Sequence, residues 1–145
     1  MTDKFNSFSS LLRAALGARL APAEDMMGMF AADIVFEFPF APEGMPARLE
    51  GRAALAGHLA KLGPLIDFGE MTLGAVHPAG ETVVIEFTCT GRGTQTGTPY
   101  DQTYISVVTM RDGRIACYRD YWNPLVVLSA LGGAEAAAAA YAGRA

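Results

Sequence analysis

"GRIACYRDYWNP", Gly113 to Pro124, is where the reading of this chain starts. Aromatic and branched residues dominate it and Pro124 closes it, the pattern of a β-strand. Alternation puts Ala116, Tyr118, Asp120 and Trp122 on one face, and Ile115, Cys117, Arg119 and Tyr121 on the other. Asp120 therefore points the same way as two large aromatics. A carboxylate on such a face is costly to desolvate, so its pKa is expected to rise unless a donor holds it. A raised carboxyl pKa is what general acid/base work near neutral pH requires. The competing reading pairs Asp120 with Arg119, Arg114 or a backbone amide at the sheet rim, because structural ion pairs also perturb pKa values.

Working outward, Asp112-Gly113 supplies a hairpin turn back into "PYDQTYISVVTM" (99–110). Before it, "ETVVIEFTCTGRG" (81–93) alternates Val83, Ile85, Phe87 and Cys89 against Val84, Glu86, Thr88 and Thr90. Residues 67–77 are a further strand candidate. "IVFEFPF" reads as a strand with Ile34, Phe36, Phe38 and Phe40 on one face, and Pro39 places it at an edge or a strand end. A short strand is expected at 47–50. Helical spacing marks residues 3–17, ended by Gly17, and "RAALAGHLAKLG" marks a helix from about 51 to 62. "APAEDMMGMFAAD" reads as a short helix between them. "PLVVLSALGG" and "AEAAAAAYAGRA" suggest a short helix and then a frayed or weakly helical tail. Helices first, then a long antiparallel meander, make an α+β chain. The expected organisation is one domain over residues 1–133 with an Ala-rich tail at 134–145.

The bulk numbers narrow the function. The chain has 145 residues, 51% of them hydrophobic and 18% charged, enough apolar content for a single core. Its net charge of −4, with no Lys/Arg cluster, argues against nucleic acid. Cys89 and Cys117 build no disulfide scaffold and offer no metal-ligand spacing, and read as small buried hydrophobes. No signal-peptide run and no membrane-length apolar segment are evident, so a cytoplasmic protein without membrane contact is expected. No nucleotide or cofactor motif is recognisable; "GRGTQTG" (91–97) reads as a loop or bulge. His58 lies on the apolar stripe of its helix with Leu55, Leu59 and Leu62, as a packed core histidine or a site residue. His77 looks like a loop histidine. Gln102, Tyr104 and Ser106 share a strand face, either as donors to a carbonyl or as a half-polar solvated surface.

Four pieces, "MMGMFAADIVFEFP", "LEGRAALAGHLA", "TVVIEFTCTGRG" and "DGRIACYRDYWNPLVVLSALG", resemble the SnoaL-like branch of the NTF2-like superfamily. The resemblance implies a cone: a strongly curved, mostly antiparallel sheet of about six strands around a pocket. About three N-terminal helices and a short C-terminal helix would close it. It also implies a homodimer through the outer sheet face, where Thr88, Thr90, Thr103, Ile105, Val107 and Tyr121 lie.

Within that superfamily, the ketosteroid isomerase base matches Phe38 here, so that base is missing. The water-holding residues of limonene epoxide hydrolases match Phe36, Phe38, Phe87 and Cys89, and only their second Asp is kept, as Asp120. The phenazine-biosynthesis A/B proteins are the nearer resemblance. Their helix histidine and strand glutamate match His58 and Asp120.

That match implies an acid/base pair, His58 and Asp120, with Tyr104 or Gln102 holding a polarised oxygen. The implied pocket faces are Phe36, Phe38, Phe40, Val83, Ile85, Phe87, Cys89, Gln102, Tyr104, Ser106, Tyr118 and Trp122. The expected function is cofactor-independent acid/base catalysis on a small apolar cyclic or aromatic molecule, of isomerase, cyclase or condensation type. The alternative is a non-catalytic binder using the same cavity.

Overall fold

The computed structural model describes residues 5–143. Residues 3 and 4 of the expected first helix lie outside them. Two helices precede the long strands: α1, Asn6–Leu16, and α2, Arg52–Leu62. The strands are β1 (Phe30–Glu37), β2 (Arg48–Glu50), β3 (Ile66–Ala79), β4 (Thr82–Gly93), β5 (Pro99–Arg111) and β6 (Arg114–Tyr121). Helices α3 (Pro124–Leu131) and α4 (Ala134–Tyr141) end the chain. The sheet order is β2-β1-β6-β5-β4-β3, open at both edges, with the β1–β6 pair parallel and the other pairs antiparallel. This is the α+β architecture expected.

The expected helix around 22–33 is instead a 3₁₀ turn at Met27–Met29 that runs straight into β1 at Phe30. The Asp112-Gly113 turn has both residues at positive φ, 52° and 76°, which matches the twist of the strands it joins. Just beyond it, β6 departs from simple alternation. Thr109 pairs with Cys117 and Met110 with Ile115, so Ala116 is an extra residue in the ladder. The bulge turns Ile115 inward, where it is fully buried, against the outward placement that strict alternation gives.

Phe40 is a second correction. β1 ends at Glu37, and Phe40 lies past Pro39 in the following turn. It is 56% exposed, with its ring edge-on to Tyr121, outside the cavity.

β3 and β4 come unusually close at one point. The register shifts between Asp67 and Glu70, and Gly69 there has φ +63°. A Cβ on Gly69 would meet the Thr90 carbonyl oxygen at 1.9 Å, and one on Gly91 would meet the Asp67 oxygen at 2.1 Å. Only glycine allows that approach. Helix α1 lies across the same region: Ser7 Oγ accepts the Met71 backbone N–H at 2.8 Å, while Leu11, Leu12, Ala15 and Leu16 enter the core. No single helix among the described residues is long and apolar enough to cross a membrane.

Gly69→Ala is expected to cost roughly 2–4 kcal/mol, since it combines a disfavoured φ with a backbone clash. A urea-denaturation midpoint close to that of the unmodified protein would refute this account of the close approach.

Candidate active site

Asp120 is the centre of the site. It lies near the C-terminal end of β6, opposite Ser106 of β5. Ser106 is fully buried and its hydroxyl donates to Asp120 Oδ1 at 3.1 Å. Among the described residues no arginine contacts Asp120: Arg119, next to it in the strand, is exposed, and the Arg114 guanidinium donates to the Ala21 and Pro22 carbonyls. The carboxyl is half-buried and faces a cavity. Burial raises its pKa from the usual 3.8 to about 7, against the hydrogen bonds from Ser106 and Trp122 that pull it down. Desolvation wins, because two neutral donors replace only part of the hydration a carboxylate loses.

The cavity holds about 70 Å³ of space open to water-sized molecules, and its walls are overwhelmingly apolar. By the roughly 10–15 Å³ that one water needs, this is several waters' worth. Phe36, Phe38, Phe87, Tyr104 and Trp122 line it, together with Phe8 of α1 and Leu55, Leu59 and Leu62 of α2. The rings pack on one another: Phe87 stacks on Tyr104 at 4.7 Å and 10°, and Phe36 lies 5.0 Å from Phe38. Pairs of this kind fix the walls beyond what burial alone supplies.

His58 lines the same cavity from α2. Two bonds from Arg52 to the Phe30 carbonyl, at 2.8 and 2.6 Å, pin the start of that helix to β1. The imidazole packs 4.9 Å from Phe38, and its Nδ1 is 2.8 Å from the Tyr141 hydroxyl. Burial, with a smaller push from Lys61, lowers its pKa to about 4. His58 is therefore neutral near pH 7, while burial shifts the titration of Asp120 towards neutral pH.

The remaining expected residues divide. Gln102 is turned away from ligand duty: its amide accepts from the Asn123 backbone N–H at 2.9 Å and donates to the Asn123 carbonyl at 3.0 Å. That clamp holds the chain just after Trp122. Ser106 and Tyr118 stand behind Asp120 rather than lining the cavity. Tyr118 is fully buried and stacks on Phe36 at 4.3 Å. Cys89, Val83 and Ile85 belong to the packed core, with the Cys89 thiol directed at the Tyr100 carbonyl at 3.8 Å. His77 is in β3, exposed and paired with Glu86 at 2.6 Å.

Tyr100 is the residue that sequence reasoning passed over. It lines the cavity, and its hydroxyl meets that of Tyr104 at 2.8 Å. Its place two residues before Gln102, on the same strand parity, was the available signal. In such a pair one phenol donates to the other, which leaves one O–H to point elsewhere. Burial raises both pKa values, so both hydroxyls keep their protons. Tyr141 had no such signal, since it lies in the alanine-rich segment.

An apolar cavity in a bent six-stranded sheet, with one raised carboxyl and one neutral histidine, invites comparison with known proteins. Residues 13–118 match the SnoaL-like domain. The chain belongs to the SnoaL-like family. It is 50% identical over 101 residues to YesE of Bacillus subtilis, covering 68% of this chain and 69% of that one. It is 40% identical over 111 residues to the PhzA/B-like protein PA3332 of Pseudomonas aeruginosa, covering 76% and 79%. A crystal structure described as a "Putative Isomerase" from Bacillus subtilis superposes with a TM-score of 0.73 at 38% identity, covering 91% of this chain and 97% of that one. More distant structures that share the fold are NTF2-like proteins. The fold and family expected from the sequence are those found.

Two outcomes follow from Asp120. Ser106→Ala removes a donor to the charged form and is expected to push the carboxyl pKa further above 7, read by carbon NMR titration. The second concerns stability. Between the unfolded value near 3.8 and the folded value near 7, the native state holds a proton that the unfolded chain has lost. Stability from this group is thus fully present below about pH 4 and declines as pH rises through 7. Asp120→Asn is expected to raise the unfolding free energy at pH 8 by on the order of a few kcal/mol, a gain that shrinks towards pH 5, read from urea denaturation at the two pH values. An equal gain at both pH values would mean that the carboxyl titrates normally.

Proposed function

We propose that the protein catalyses proton transfer on a small, apolar, cyclic or aromatic molecule, without a cofactor. The observation that carries this is the single carboxyl, raised to about 7, facing an apolar aromatic cavity. A group with that pKa is a competent base in one half of its population and a competent acid in the other. Asp120 would take a proton from carbon next to a carbonyl and return it at another position, as an isomerisation or cyclisation requires. The second O–H of the Tyr100–Tyr104 pair would turn to donate to the oxygen on which charge develops. His58, neutral at that pH, would orient the substrate. The narrow cavity favours a flat molecule lying against Phe36, Phe38 and Trp122.

A second reading keeps the cavity and removes the chemistry. Phe36, Phe38 and Phe87 occupy positions where the ketosteroid isomerase and epoxide hydrolase resemblance puts catalytic polar groups. A greasier cavity suits a binding protein. The two readings separate in one experiment: NMR in deuterated water, with a panel of cyclic ketones and phenols, following exchange of the protons next to the oxygen-bearing carbon. Catalysis predicts exchange that Asp120→Asn slows by roughly 100-fold or more, with ligand binding retained. Binding without exchange in the unmodified protein selects the second reading.

The same proposal includes a homodimer through the outer sheet face. Ile105 and Phe40 are exposed there at 44% and 56%, beside Thr103 and Tyr121. An apolar patch of that kind is commonly covered by a second copy. Light scattering is expected to give twice the mass of 15.3 kDa, and Ile105→Glu to shift it to the monomer.

A further inference from the structure

Helix α4 is built almost wholly of alanine. Of its eight residues, only Glu135 and Tyr141 carry longer side chains. A helix this short has little stability of its own, so its position depends on what it docks against. Gly132 and Gly133, both at positive φ (93° and 111°), turn the chain through 79° between α3 and α4. Ala137 is then buried in the core. Ala138 fits against Gly44 in the loop before β2, so closely that a Cβ on Gly44 would meet the Ala138 Cβ at 2.5 Å. Next to Gly44 in that loop, Met45 and Pro46 line the cavity. The last turn of α4 brings Tyr141 to His58, 83 residues earlier in the chain. The Lys61 ammonium, one turn of α2 further on, lies 5.0 Å from the centre of the Tyr141 ring.

We propose that Tyr141 is a positioning residue for His58: its hydroxyl donates to Nδ1 and so holds the imidazole as the Nε2–H tautomer, a neutral hydrogen-bond donor to a ligand oxygen in the cavity. This rests on the reading of the cavity as the working site. The direction of the bond follows from the partners. A phenol is the better donor and an imidazole nitrogen the better acceptor, and the cation above the ring strengthens the phenol's donation. Among the described residues Nε2 has no protein hydrogen bond, and His58 lines the cavity. One nitrogen is thus committed to α4 and the other is available to a ligand. A neutral imidazole held this way offers a proton in a hydrogen bond without taking part in the transfer, which leaves the acid/base step to Asp120. The alanine-rich C-terminal segment becomes part of the site.

The test needs no substrate. Long-range nitrogen–proton NMR of the full chain at pH 7 distinguishes the two tautomers of each histidine. His58→Gln assigns the signals, since His77 is the only other histidine. The expected result is an acceptor-type Nδ1 and a protonated Nε2 for His58. Tyr141→Phe deletes a single oxygen, and His77 serves as the internal control for an intact sheet. In that variant the two His58 shifts are expected to move towards each other as the tautomers mix. A protonated Nδ1 in the unmodified protein overturns the proposal, as does a His58 spectrum that Tyr141→Phe leaves unchanged. Because this readout is independent of turnover, a failure of the catalytic reading and a failure of the positioning role are told apart.

Discussion

A carboxyl group that faces aromatic rings must find donors or keep its proton, and Asp120 does part of each. Ser106 and Trp122 supply hydrogen bonds to it, yet the loss of water outweighs them. Much of the local architecture serves this balance. Ser106 is held by strand pairing directly across from Asp120. Tyr118 and Phe36 stack beside it, and the Gln102 clamp on Asn123 fixes the chain as it leaves Trp122. The lack of a charged partner matters as much: Arg119 is exposed and Arg114 is bound to backbone carbonyls, and no cation among the described residues lowers the pKa again.

The inner face of the sheet has two uses. Towards the hairpin end, Val83, Ile85, Val108 and Ile115 are packed core. Towards the other end, Phe87, Tyr100 and Tyr104 pack on one another and form one wall of the cavity. Helices α1 and α2 then close the space, each contributing apolar side chains to the walls.

The sequence-level reading recovered most elements because their patterns are local. Strong alternation in β4 and β5 marks strands with one face turned inward, and the observed burial follows it through most of both strands. His58 and Asp120 could be singled out as polar residues on otherwise apolar faces, and the structure brings both to one cavity. Where the reading failed, something beyond the local pattern had intervened. Ile115 was misplaced because one bulged residue reverses parity, and Phe40 because the strand had already ended. Gln102 reads in the sequence either as a donor to a carbonyl or as part of a half-polar solvated face, whereas its amide clamps a backbone 21 residues away.

By itself, then, the sequence determined the local order: which segments are strands or helices, where the Asp-Gly hairpin turns, and which polar groups share a face with aromatics. Those properties depend on side-chain periodicity and turn chemistry within a few residues. Tertiary structure decided which part of the inner face is core and which is cavity. It also decided that Asp120 meets a serine rather than an arginine, and that a tyrosine from an alanine-rich helix reaches His58. Each of those outcomes joins groups far apart in the chain through the bend of the sheet and the docking of short helices. Their positions are set by long-range packing, which no local repeat encodes.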